Sequence, residues 1–221
     1  MMFDTILFDL DDTLHDRNST VHKFADLFNL NYSNALDHNG QLILKDVFFE
    51  IDNKGYNPRE EVFEELLNRV PWKYKPNLKE LIDFWNTEFP KCAEPMPDLY
   101  NVLDYFLEEN IKMGIVTNGK SDFQNTKIDK LNLRKYMKTI IISEDVGIRK
   151  PDTEIFNIAL SNIKSNSNDA LFVGDNPVID MKGAIDAGLV SVWLSNGQVW
   201  NMKHFAPKFT INNISQLIKI L

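Results

Sequence analysis

The chain has 221 residues, 43% hydrophobic and 25% charged, with nine Gly, nine Pro and a single Cys; this excludes a fibrous or disordered chain and allows one sizeable core, with or without a small second domain. A net charge of −8 with no basic block argues against binding a nucleic-acid backbone. Cys92 has no internal disulfide partner, no apolar run is long enough to span a bilayer, and the N-terminal Met-Met-Phe-Asp-Thr has no signal-peptide pattern, so no membrane contact and a cytoplasmic location are the expectation.

Thr5–Phe8 is a nearly continuous apolar run, the pattern of a strand covered on both faces. From about His15 to Glu94 the rhythm changes: Ala35–Ile51, Arg59–Val70 and Asn77–Phe89 read as helices, punctuated by Asn57-Pro58, Pro71 and Pro76, with no convincing strand. Pro90–Pro97 reads as a return hinge, paired with an outgoing one near His15–Asn18. Beyond it, Leu99, Val102, Leu103, Phe106 and Leu107 recur at helical spacing, and Met113–Thr117 and Thr139–Ser143 read as strands. Ile155, Phe156, Ala159, Leu160 and Ile163 mark a helix with Asp152 or Thr153 as its N-cap. Leu171–Val173 and Ser191–Leu194 are further strands, separated by a helix running from Val178 to a stop at Gly188. Phe209–Leu221 reads as a short edge strand and a closing helix without a part in chemistry. Strands alternating with helices predict an α/β core with a parallel sheet, formed by residues 1–14 and 95–221 and interrupted by a helical subdomain at 15–94.

In open α/β sheets ligands bind beyond the carboxyl ends of the strands, so the residues just past each strand carry the chemistry. After the first come Asp9-Leu10-Asp11-Asp12-Thr13, after the second Thr117-Asn118-Gly119, and a short loop beyond the third Lys150-Pro151-Asp152. After the fourth come Gly174-Asp175, with Asp180 five residues on. Singly, each reads as a turn, a helix cap or a surface loop. Together and in this order they bring carboxylates, a hydroxyl and a lysine to one crevice.

The set resembles the haloacid dehalogenase-like (HAD) hydrolase superfamily over nearly the whole chain, with all four motifs in order. The resemblance implies a Rossmann-like core and a phosphatase acting on a small phosphorylated metabolite such as a nucleotide or a sugar phosphate. It implies Asp9 as the nucleophile that forms an aspartyl-phosphate, and Asp11 as the general acid and then base. Thr117 would bind a phosphate oxygen, helped by backbone N–H groups near Asn118, and Lys150 would supply positive charge to the phosphate and to Asp9. Mg²⁺ would be held by Asp9, Asp175 and the main-chain carbonyl of Asp11, with Asp180 orienting Lys150 or the metal's waters. Dehalogenating relatives lack the second aspartate, because a departing halide needs no proton; Asp11 therefore points to a phosphate ester. A phosphomutase keeps Asp11 too and is the alternative.

The insert between the first two motifs resembles an α-helical cap, which implies closure over a small substrate. His15, Arg17 and His22 come soon after the nucleophile loop and could face a leaving group, although a solvated or hinge role is the simpler reading; Lys45, Lys54 and Arg59 are weaker candidates. Phe48, Phe49, Phe63, Phe84, Trp85 and Phe89 could stack on a base or a flavin, but helical spacing reads first as subdomain core. Cys92 has no paired His nearby in the chain and is no candidate nucleophile. A rival pattern, Gly114 to Ser121, fits the phosphate-loop expression G-x-x-x-x-G-K-S. Its β-branched interior would resist an amide cradle, and an NTPase would leave Asp9, Asp11 and Lys150 without a task. A non-catalytic binding protein would be expected to have lost one of these groups, and none is lost.

Overall fold

Largely apolar runs of three to six residues form the strands: β1 (Thr5–Phe8), β2 (Lys112–Thr117), β3 (Thr139–Ile142), β4 (Ala170–Gly174), β5 (Val190–Leu194) and β6 (Phe209–Ile211). The computed structural model describes residues 3–220 except Tyr56 and the side chain of Lys54, so the last residue of the expected closing helix, Leu221, lies outside the described residues. All six strands are parallel, in the order β3-β2-β1-β4-β5-β6. Parallel strands are covered on both faces, which is why Ile6, Leu7, Phe8, Ile115, Val116, Leu171, Phe172 and Val173 are all fully buried. The α/β reading holds, and each expected strand lies within a residue of its observed bounds. β6 is the edge strand, and a 3₁₀ helix at Ile214–Lys219 closes the chain.

The chain divides into two compact units, Met1–Asp16 with Pro95–Leu221, and Arg17–Glu94. The second is built from α1 (Arg17–Asn31), α2 (His38–Asp52), α3 (Arg59–Arg69) and α4 (Leu78–Glu88). Asp37 caps α2 by accepting from Gly40 N at 2.6 Å, and Asn77 caps α4 by accepting from Glu80 N at 2.8 Å. The sequence pattern does not single out α1. Its Val21, Phe24, Ala25 and Phe28 do face the core at helical spacing, but its first turn, Arg-Asn-Ser-Thr, carries no apolar signal and begins within the expected hinge.

The aromatic series is the core of this helical unit. Phe24, Phe28, Phe48 and Phe63 are fully buried and Trp85 nearly so, with Trp85 stacked on Phe89 at 3.8 Å between ring centroids. Burying each such ring contributes about 1.5–3 kcal/mol. Phe49 is the exception, being half-exposed and stacked on His22 at 4.8 Å. Arg17 and Arg59 both pair with the buried Asp52, Arg59 Nη1 at 2.7 Å from Oδ1. The Arg59 guanidinium also lies 4.6 Å from the Trp85 ring, and Lys45 pairs with Asp26. These interactions hold α1, α2, α3 and α4 to one another.

In the sheet unit α5 (Leu99–Glu108), α6 (Ser121–Lys130), α7 (Ser143–Val146), α8 (Thr153–Ile163) and α9 (Gly183–Asp186) alternate with the strands. Asp152 caps α8, accepting from Glu154 N at 3.0 Å. The expected helix from Val178 is one π-helical segment, Pro177–Lys182, running into α9. Gly188 ends it at φ +79°, a conformation that suits glycine. Among the described residues no helix is long and apolar enough to cross a membrane.

Candidate active site

The strand order reverses at β1, with β2 and β3 on one side and β4 to β6 on the other, so the crevice lies beyond the carboxyl ends of β1 and β4. Asp9 sits there as the first residue after β1, with its N–H donating to Val173 O at 2.9 Å in continuation of the β1–β4 ladder. Lys150 Nζ reaches it, 2.5 Å from Asp9 Oδ1 and 2.7 Å from Asp180 Oδ1. All three side chains are buried. Asp180 spends its second oxygen on Asn176 N at 2.9 Å. Its position depends on Gly174: a Cβ there would lie 2.6 Å from the Asp180 carboxyl carbon, so only glycine lets that carboxylate fold back against the end of β4.

Asp9, Asp175 and Asp180 each offer an oxygen within 4.8 Å of the others. Three carboxylates beside one ammonium leave an uncompensated negative charge. Burial, opposed by Lys150 and reinforced by Asp180 and Asp11, pushes Asp9 up to about 7. Burial and then the neighbouring Asp180 and Asp9 push Asp175 well above the usual carboxylate range. Burial works against the Lys150 ammonium, but Asp180 and Asp9 outweigh it and raise its pKa. The arrangement favours a divalent cation: hard oxygen donors, crowded and destabilised as anions, are a match for Mg²⁺.

Asp11 faces a different set of partners. Oδ1 lies 2.6 Å from Lys127 Nζ and 2.6 Å from His15 Nδ1, and Oδ2 accepts from Gln124 Nε2 at 3.0 Å. Because a carboxylate only accepts, His15 Nδ1 carries the proton. Burial opposes the Asp11 charge, but Lys127 and His15 outweigh it and hold the carboxyl well below its ordinary value. The buried Gln124 also donates to Thr117 Oγ1 at 2.7 Å. Asn118 clamps the main chain of Lys150, with Nδ2 donating to Lys150 O and Oδ1 accepting from Lys150 N, both at 2.9 Å. Its side chain is thereby committed, which leaves only its backbone for an anion.

The structure thus brings Asp9, Lys150, Asp175 and Asp180 together, joins Thr117 to Asp11 through Gln124, and gives Asn118 the task of seating Lys150. Sequence reasoning missed Gln124 and Lys127. They lie on α6, three residues apart and facing one way, yet a Gln and a Lys in a polar helix look like solvated surface. His15, read as hinge or solvated, is fully buried against Asp11.

The phosphate-loop reading fails on geometry. Gly114 lies inside β2, and two of the amides that would cradle a phosphate are taken, Gly119 N by Ser143 Oγ at 3.0 Å and Ser121 N by Glu144 Oε2 at 2.6 Å.

A family model described as haloacid dehalogenase-like hydrolase matches residues 6–194. Among similar proteins, the pyrimidine 5'-nucleotidase YjjG of Escherichia coli is 30% identical over 231 residues, covering 100% of this chain and 99% of that protein. The glyceraldehyde 3-phosphate phosphatase of Methanocaldococcus jannaschii is 27% identical over 232 residues, covering 100% and 97%. The crystal structure of the HAD-hydrolase YfnB from Bacillus subtilis, bound to magnesium, superposes with a TM-score of 0.77 at 25% identity, covering 99% of this chain and 98% of that one.

Proposed function

This chain belongs to the haloacid dehalogenase-like hydrolases, and on that premise we propose that it is a Mg²⁺-dependent phosphatase of small phosphomonoesters, working through an aspartyl-phosphate. The observation that carries the reading is the buried contact of Lys150 with Asp9 beside Asp175. Lys150 holds Asp9 Oδ1, and among the described residues no hydrogen bond engages Oδ2. Asp9 Oδ2 attacks phosphorus, the ester P–O bond breaks, and Asp11 gives its proton to the departing alkoxide oxygen. Water then attacks the same phosphorus, Asp11 takes a proton from it, and the bond to Asp9 breaks to release orthophosphate. The ionised state in which Lys127 and His15 hold Asp11 suits this second half, so the first half requires a proton taken up beforehand.

Thr117 donates its hydroxyl to a phosphate oxygen, and Lys150 adds positive charge. Asp9, Asp175 and the Asp11 carbonyl would hold Mg²⁺, which when bound neutralises charge on the phosphate oxygens. Asp180, its oxygens given to Lys150 and Asn176, orients rather than ligates. The helical unit takes the part of a cap that selects the metabolite, and nucleotides and triose phosphates, named for the relatives, head the substrates to try. Hydrolysis of p-nitrophenyl phosphate that requires Mg²⁺ and disappears in Asp9→Asn is the expected outcome. Metal-independent turnover, or turnover retained in Asp9→Asn, would overturn the reading.

A further inference from the structure

Gln124 is a buried amide at the centre of the site with no part in the phosphoryl-transfer steps. Its Nε2 is surrounded by three oxygens: Thr117 Oγ1 at 2.7 Å, Asp11 Oδ2 at 3.0 Å and Asn118 O at 3.3 Å. An ionised carboxylate and a carbonyl can only accept, so the end of the amide that faces them must be the donating NH₂. Turned over, the amide oxygen would meet the Asp11 carboxylate and the Asn118 carbonyl, both repulsive. The seat depends on a glycine: a Cβ at Gly119 would lie 2.9 Å from Gln124 Cγ, so the glycine after Asn118 makes room for this side chain.

The consequence falls on Thr117. A hydroxyl has one proton, and its oxygen here accepts from Gln124, so the proton points away from the amide. No described residue accepts it, although Thr117 is only 1% exposed. The residue ends β2 beside Asp9: Phe8 pairs with Ile115, which sets Asp9 level with Val116 and Thr117 one step beyond.

We propose that Gln124 is a positioning residue that fixes the Thr117 hydroxyl as a hydrogen-bond donor to the substrate's phosphate and, through the same nitrogen, couples that hydroxyl to the Asp11 carboxylate. This rests on the phosphatase reading and adds to it a residue that acts only through Thr117 and Asp11. Without the amide the hydroxyl is free to turn and present its lone pairs to the phosphate, and that orientation repels.

The test is a coupling cycle on the full chain with Mg²⁺, read as the competitive inhibition constant of orthophosphate against p-nitrophenyl phosphate. Gln124→Met, close in size and without a donor, is expected to weaken orthophosphate about fivefold. The same loss is expected in a Thr117→Ser background, which keeps a hydroxyl to orient. In Thr117→Val, with no hydroxyl, Gln124→Met is expected to change the constant by under about twofold. An equal loss in all three backgrounds means that Gln124 acts by packing and overturns the proposal. If Gln124→Met does not fold, Gln124→Glu takes its place: its carboxylate captures the Thr117 proton, and its penalty must again be larger with Thr117 than with Thr117→Val. If the wild type binds orthophosphate, seen as a rise in melting temperature, but hydrolyses no ester, the phosphatase reading falls. The same cycle on phosphate dissociation constants then decides for or against Gln124. A wild type that binds no orthophosphate overturns both.

Discussion

In the helical unit one buried carboxylate, Asp52, sits between two guanidiniums; in the sheet unit one buried ammonium, Lys150, sits between two carboxylates with a third beside them. Both clusters are deeply buried, so both carry a desolvation cost. The outcome differs because the counter-charges differ. Burial would raise Asp52, but Arg17 and Arg59 outweigh it and hold it below its ordinary value. Burial likewise raises Asp9, and a single lysine shared with Asp180 does not offset it, so Asp9 rises to about 7. A compensated buried charge ties elements together; an undercompensated one is poised to bind a cation. The same residue types thus form a compensated tie in one unit and an undercompensated cluster, a candidate for chemistry, in the other.

The largest effect expected of breaking this contrast is on turnover. Asp9→Asn should lower kcat for p-nitrophenyl phosphate by at least about a thousandfold, since it removes the proposed nucleophile, while the circular dichroism spectrum stays native. Residual turnover near the wild-type rate would return Asp9 to a structural role.

Next comes the compensated cluster. Asp52→Ala leaves two buried guanidiniums facing one another, and urea unfolding should show a loss of about 3 kcal/mol. A change near zero would mean that the ion pairs with Asp52 add nothing to the other contacts of the two arginines, the Trp85 and Phe89 rings among them.

The undercompensated cluster should respond to metal in the opposite sense. Mg²⁺ at a hundred times its dissociation constant should raise the unfolding free energy by about 2.7 kcal/mol, and Asp175→Asn should lose most of that gain. An identical melting curve with Mg²⁺ and with chelator would show that the carboxylates bind no cation.

The smallest effect, a few degrees in melting temperature, concerns pH. Asp9 is raised to about 7 from an ordinary 3.8, so between those values the folded state holds a proton that the unfolded state has lost. Without metal, its contribution to stability therefore falls as pH rises from about 4 to about 7 and is level above that. Asp52 is lowered from the same 3.8, so its contribution is complete above about pH 4 and is lost as pH falls through its lower value. Melting curves in chelator should show Asp9→Asn gaining on the wild type between pH 5 and pH 8 by on the order of a few degrees. Parallel curves across that range would mean that Asp9 is ionised throughout.

Periodicity records local burial, and that sets how much of the fold and the site is legible in the sequence. A strand covered on both faces must be a continuous apolar run, so β1 to β5 are visible one by one, and the residues at or just past the ends of β1, β2 and β4 mark the edge of the sheet that carries the candidate site. Asp9, Thr117 and Asp175 are found in this way without coordinates. A helix that starts in a polar turn leaves a weaker trace, and α1 escapes for that reason. Asn118 is legible as a position but not as a task, because its clamp on Lys150 joins residues 32 apart in the chain.

The sequence by itself determined the alternation of strands and helices, the helical insert and the chemical types at the strand ends, because each is written in local spacing and in the short reach of the residues that come after a strand. Only the tertiary structure decided which charges are compensated. Lys127 and Gln124 reach Asp11 across more than a hundred residues of chain, and Lys150 meets Asp9 across 141. No local pattern encodes such a meeting; it arises when β1 packs between β2 and β4 and brings their carboxyl ends to one edge.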